Sequence, residues 1–255
     1  MTKDYTVQTV QNAIRILRLF TIGKPDWTLS EIAREQNMSV STTKRLLQTL
    51  EKYGYIARKK DSKKYRLSLS ILSLSGIVTN TMDLHKEAQS ILMKLQQDYG
   101  EAIHIGVLEG TETVYLDKVE SLNPVRLASF IGKNNPAYCS GCGKVLLAFK
   151  NQKEQEKIIG AIEQEGYHPY GLNTVKNTQE LMDKLKLIKK QGFEVCKDEL
   201  STGITSIAAP IYDYDESVIA AISITGPNSR MNIPDMIEGV VKAAREISRK
   251  LGYMY

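Results

Sequence analysis

The chain is short of cysteine and of long apolar runs, and each shortage closes a class of explanation. Three cysteines in 255 residues are too few for a disulfide framework, so reduced thiols and a cytoplasmic location are expected. No stretch reaches the ~18 consecutive apolar residues that a membrane-spanning helix needs, and Met1-Thr2-Lys3-Asp4-Tyr5 lacks the apolar core of a secretion signal. Internal repeats and low-complexity segments are missing too. What is present is the balance of a soluble globular protein, 42% hydrophobic and 25% charged, at a length that allows one large domain or two ordinary ones. The net charge of +5 is modest but unevenly placed: residues 1–80 hold 14 Lys and Arg against 6 Asp and Glu, and the remainder holds 20 against 23. A basic first third suits a module that meets phosphate. A solvated basic face would look the same, so the pattern of residues has to decide.

Val10 to Ile22 reads as an amphipathic helix, with Ala13, Ile14 and Leu17 on one stripe, stopped by Gly23-Lys24-Pro25-Asp26. Thr28-Leu29-Ser30-Glu31 has capping-box spacing and opens a short helix that ends at Gln36-Asn37. Ser39 is a good N-cap for a third helix from Val40 to Tyr53, ended by Gly54, with Leu46, Leu47 and Leu50 turned inward. Residues 55–58 and 64–67 then read as two short strands around a basic tip, Lys59 to Lys63. Helix, short helix, turn, polar-faced helix and basic hairpin spell a winged helix-turn-helix. Small hydroxyls and cations on the third helix can approach base edges in the major groove, while the hairpin cations can straddle phosphates. The candidate contacts to double-stranded DNA are therefore Ser39, Ser41, Thr42, Thr43, Lys44, Arg45 and Gln48 on the helix. Arg58, Lys59, Lys60, Lys63 and Lys64 join them from the wing.

Leu69 to Val78 is apolar at helical spacing and reads as a connecting helix, followed by a longer helix from Leu84 to Tyr99. Strand-like runs follow at 102–108, 113–119, 125–131, 193–198, 205–212 and 217–225. Helices are expected at 144–149, 154–164, 178–191 and 233–251. Mixed elements with short connections argue for an α+β domain around an antiparallel sheet. The expected division is a winged helix-turn-helix over 1–68, a linker helix over 69–82 and a second domain over 83–255.

Several motifs carry a resemblance. They are Leu29-Ser30-Glu31-Ile32-Ala33, then Ser39-x-Ser41-Thr42-x-x-Arg45-Leu46-Leu47, then Gly132-x3-Pro136-x-Tyr138-Cys139-Ser140-Gly141-x-Gly143-Lys144, with Gly203-Ile204-x3-Ala208-Ala209-Pro210-Ile211 and Ala220-Ala221-Ile222-Ser223-Ile224-Thr225-Gly226-Pro227 behind them. In that order and over essentially the whole chain, they resemble the isocitrate lyase regulator (IclR) family. The resemblance implies a GAF-like sensor domain that takes a small, often carboxylate-bearing effector. It also implies homodimers or tetramers, palindromic operators, repression more often than activation, no cofactor, and no membrane or enzymatic role. By position it implies an effector site at Ser140, Gly141 and Cys142, at Ser206, and at Ser223 and Thr225. Period-2 alternation puts Ser223 and Thr225 on one strand face. Buried hydroxyls there need a partner, which a carboxylate, water or a core network would supply.

Cys196 stands where the family often carries Asp, so all three cysteines map near one pocket. Cys139, Cys142 and Cys196, with His104 as a fourth ligand, could hold zinc. They could instead form a thiol-redox sensor, or simply line a less polar pocket. An enzyme with Cys139 or Cys142 as nucleophile and His104 or His168 as base would need an organised pair that the spacing does not supply.

Overall fold

The computed structural model describes residues 6–123 and 129–254. The chain divides into two compact units, residues 1–81 and 82–255. In the first, α1 (Gln8–Arg18), α2 (Leu29–Glu35) and α3 (Val40–Lys52) precede the hairpin β1 (Ile56–Arg58) and β2 (Tyr65–Leu67), and α4 (Ser70–Thr81) follows. The first helix ends earlier than its apolar stripe suggests, because the next turn is held by other bonds. Trp27 Nε1 donates to the carbonyls of Leu19 and Lys24, and Thr21 and Lys24 exchange backbone bonds. The capping box forms as the sequence predicts, with Thr28 accepting from the Glu31 amide and the Glu31 carboxylate accepting from the Thr28 amide. Ile16, Trp27, Ile32, Leu47, Ile56 and Tyr65 share one core. A backbone bridge from Trp27 to Tyr65 adds a third edge to the hairpin.

The second unit carries one six-stranded antiparallel sheet. Its strands are β3 (Ala102–Glu109), β4 (Glu112–Val119), β5 (Asn134–Pro136), β6 (Glu194–Lys197), β7 (Ile204–Tyr212) and β8 (Val218–Pro227), in the spatial order β5-β4-β3-β8-β7-β6. Alternation sorts the faces. Ile103, Ile105, Ile207, Ile222 and Ile224 pack under α5 (Asp83–Tyr99) and α9 (Ile233–Lys250). Ala208 and Ala221 lie on the other face with α6 (Gly141–Phe149), α7 (Gln152–Glu165) and α8 (Thr178–Gln191). Most of the strand expected over 125–131 lies outside the described residues, and 129–131 are not in a strand; the edge strand is β5, paired with β4.

Candidate functional site

The outward face of α3 is polar because its inward face is not. Leu46, Leu47 and Leu50 are buried, which leaves Ser41, Thr42, Lys44, Arg45 and Gln48 exposed. Ser39 is exposed as well, and its hydroxyl caps the helix by accepting from the Thr42 amide at 3.2 Å. Thr43 is a correction: it is 0% exposed and its Oγ1 donates to the Ser39 carbonyl, so it belongs to the packed face and offers nothing to a groove. On the wing, Arg58, Lys60, Lys63 and Lys64 are exposed, and the Arg58 guanidinium lies over the Tyr65 ring. Lys59 is half-buried and ion-paired with Asp26, so its charge is already partnered. Arg66, absent from the expected contacts, is exposed on β2 beside them.

In the second unit a cavity of about 470 Å³ opens on the sheet face that α6 covers, and residues from all six strands reach it. Ser140, Gly141, Cys196, Ser206 and Thr225 are among the residues that line it. Thr225 Oγ1 donates to Ser206 Oγ at 3.0 Å. Gly141 sits so close above that a Cβ there would come within 2.9 Å of Ser206 Oγ. Ser140 caps α6 by accepting from the Gly143 amide at 3.2 Å, and the first amides of a helix have no intrahelical acceptor.

Two expected site residues are not on the wall. Cys142 is buried behind it, its Sγ donating to the Ala221 carbonyl. Ser223 is buried under the same first turn of α6, its hydroxyl against the Cys142 thiol. The side of the sheet follows from alternation, but how far α6 overlies β8 does not.

The cavity also takes residues that the resemblance did not supply. His104 on β3 is 1% exposed, stacks on Tyr115 at 4.4 Å and pairs through Nε2 with Ser129 Oγ. Burial, aided by the charges of Lys118 and Lys133, pulls its pKa down to about 3, so the ring is neutral. Asn135 on β5 is 4% exposed. His104 Nδ1 and Asn135 Nδ2 have no partner among the described residues. Behind the wall Lys144, 0% exposed, is clamped between Glu194 and Glu199, and Lys184 reaches Glu199 at 2.7 Å. Desolvation pulls the Lys144 ammonium down, but the Cys196 sulfur and the two carboxylates outweigh it and hold it above the usual lysine value.

The cysteines lie near one another but do not form a ligand set. Cys139 Sγ donates to the Pro136 carbonyl and Cys196 Sγ to the Cys139 carbonyl. Burial pushes the Cys142 thiol up to about 11 and the Cys196 thiol up to about 12, away from reactive thiolate. Among the described residues no group of three or more His, Cys, Asp or Glu has metal-binding geometry, and no hydrogen bond joins His104 or His168 to a thiol. Nothing in this geometry favours the zinc, redox or nucleophile alternatives.

A DNA-reading helix with a basic wing, followed by a separate unit built around a ligand-sized cavity, defines a one-component transcription regulator. The comparisons give the family. Residues 9–60 match the IclR helix-turn-helix domain, and residues 77–251 match the bacterial transcriptional regulator IclR C-terminal domain; the chain belongs to the IclR family. It is 33% identical over 228 residues to the HTH-type transcriptional regulator KdgR of Dickeya chrysanthemi, covering 88% of this chain and 74% of that one. It is 29% identical over 250 residues to XynR of Escherichia coli, covering 97% and 98%. Among solved structures, Thermotoga maritima IclR superposes with a TM-score of 0.76 at 31% identity, covering 96% of this chain and 99% of that one. The protein is an IclR-family transcriptional regulator that binds DNA through its helix-turn-helix and small molecules through its C-terminal domain.

Proposed function

We propose that this regulator acts as a repressor on a palindromic operator and is controlled by an organic acid bound in the cavity of the second unit. The observation that carries the proposal is the cavity's polar end, where the amino end of α6 meets the hydroxyls of Ser140, Ser206 and Thr225. Unpaired helix amides and hydroxyls are what a carboxylate needs when it leaves water. An IclR homolog from Microbacterium hydrocarbonoxydans, 23% identical, was crystallised with 4-hydroxybenzoate, a ligand of this chemical type, and the name of the 27% identical acetate operon repressor of Salmonella typhimurium supports repression.

In this reading Ser41, Thr42, Lys44, Arg45 and Gln48 face the major groove, and Arg58, Lys60, Lys63, Lys64 and Arg66 hold flanking phosphates. Residues 69–82 serve as the linker between a 1–68 DNA-binding domain and an 83–255 sensor. Leu69, Leu72 and Leu74 at and along α4 are exposed apolar side chains that a second copy would cover, in a dimer or a tetramer. The protein works in the cytoplasm without catalysing a reaction. Effector binding favours one arrangement of the sensors and so changes the fit of two recognition helices to two half-sites.

The test has two arms on the purified full-length chain. Selection from a fragment library of genomic DNA should enrich one inverted repeat with half-sites about one or more helical turns apart. A thermal-shift screen of organic acids should find one that raises Tm by mass action and changes affinity for that repeat. Failure to enrich any sequence would remove the first half of the proposal. A stabilising acid that leaves DNA affinity untouched would remove the second.

A further inference from the structure

The N-terminal unit partners some of its own cations. Lys24 reaches the Glu31 carboxylate at 3.2 Å and lies 3.4 Å from the centre of the Trp27 ring, and Lys59 is paired with Asp26. The second pair crosses the wing. Trp27 and Tyr65 exchange both backbone bonds, at 3.0 and 2.7 Å, so the segment at Trp27 runs beside β2 on the side away from β1. The middle strand of the three is therefore β2. Asp26 belongs to one outer strand and Lys59 to the end of the other, and their side chains meet over the strand between them.

Register shows what lies under that contact. On β2 the Tyr65 side chain is buried, so Lys64 and Arg66 turn to the other face, where both are exposed. Lys59 stands beside Lys64, whose carbonyl accepts from its amide at 2.8 Å. On the far side the antiparallel bridge at Trp27 sets Asp26 beside Arg66. The ion pair thus runs diagonally over the middle strand, between Lys64 and Arg66, which are two residues and so ~7 Å apart along it. One carboxylate is set among three cations, and it takes the one that also ties the outer strands together.

We infer that Asp26 is a positioning residue for DNA binding: its hold on Lys59 straps the outer strands of the wing across β2 before DNA arrives, and phosphate is met by Lys64 and Arg66 rather than by Lys59. This rests on the reading above that exposed wing cations hold flanking phosphates. Ordering a loop on binding subtracts from affinity, and a wing already strapped avoids that loss. The two side chains are 39% and 22% exposed, and a pair this open adds little to global stability. Its effect is therefore expected in DNA affinity and not in Tm.

The test is the salt dependence of binding between the full-length chain and a labelled duplex of mixed sequence. Each lost phosphate contact flattens the plot of log K against log salt by about 0.9, so Lys64→Met and Arg66→Met should each flatten it by at least that much. Lys59→Met should leave the slope at its wild-type value while lowering affinity about two- to fivefold at every salt concentration, the scale of one partly exposed pair. Lys59→Asp should bind more weakly still. Adding Asp26→Lys to it reverses the pair at wild-type net charge and should return affinity toward wild type. Melting followed through Trp27 checks that each variant is folded. A flattened slope or unchanged affinity in Lys59→Met, or a reversed pair no tighter than Lys59→Asp alone, would overturn the assignment while the wing still held phosphate. If Lys64→Met and Arg66→Met leave the slope unmoved, the phosphate reading itself falls and takes the assignment with it.

Discussion

In the N-terminal unit the polar groups of interest point into water: Lys44, Arg45 and Gln48 stand on the exposed face of α3, and nothing in the core depends on them. In the sensor unit the comparable groups are turned inward, with Lys144, His104 and Asn135 all buried on or behind one sheet face. The difference separates function from stability in one unit and fuses them in the other. An exposed cation can be removed at little cost to the fold. A buried one cannot, because its partners are left desolvated and unpaired.

The sharpest way to break this contrast is Lys144→Met. Leaving Glu194 buried without a cation, and Glu199 with Lys184 alone, should cost about 3–5 kcal/mol, read as a lower urea midpoint. Adding Glu194→Gln and Glu199→Gln should recover much of that loss. If Lys144→Met alone costs under about 1 kcal/mol, the cluster is not ionised as drawn.

Next in size is the acid limb of stability. His104 has a pKa of about 3 in the folded chain and about 6.5 unfolded, so between those values the unfolded state binds more protons. Stability then rises with pH through this window and is lost as pH falls from 6.5 toward 3, by an amount on the order of a few kcal/mol. Comparing Tm of the wild type and His104→Phe across this range should show the slope reduced in the variant; parallel curves would mean that His104 is charged or exposed.

On the exposed side, Arg45→Ala or Lys44→Ala should weaken operator binding by about 1–3 kcal/mol if the side chain reads a base and shift Tm little. Thr43→Val is the matched control, since a residue on the packed face should leave operator affinity in place. The smallest effect expected is that of Thr28→Ala, which removes the cap of α2 and should cost about 1 kcal/mol, visible as a lower Tm.

The same division explains what could be read from residues alone. Caps, glycine stops and apolar spacing are local, so α2, α3 and the hairpin were legible within a residue or two, and the outward face of α3 followed from Leu46, Leu47 and Leu50. Thr43 was misplaced because a hydroxyl looks polar in sequence, while its bond to the Ser39 carbonyl exists only once the helix is wound. The cavity depends on contacts between distant segments. His104 meets the far end of the chain because β3 pairs with β8, and no local pattern announces that pairing. Ser223 came from family position and alternation put it on the correct face, but only packing reveals that the first turn of α6, with Cys142, covers it. Lys144 looked like an ordinary cation near a helix start, since its carboxylate partners lie 50 and 55 residues away.

The lone tryptophan has a use beyond its packing. Trp27 sits in the core of the DNA-binding unit, with its indole bonded to two carbonyls and the Lys24 ammonium 3.4 Å from the ring centre, while the sensor unit has only tyrosine and phenylalanine to absorb. Red-edge excitation therefore lights one half of the molecule. Emission from Trp27 follows the melting of the operator-reading half without a label, and far-ultraviolet dichroism follows both, so the difference between the two signals tracks the sensor's unfolding.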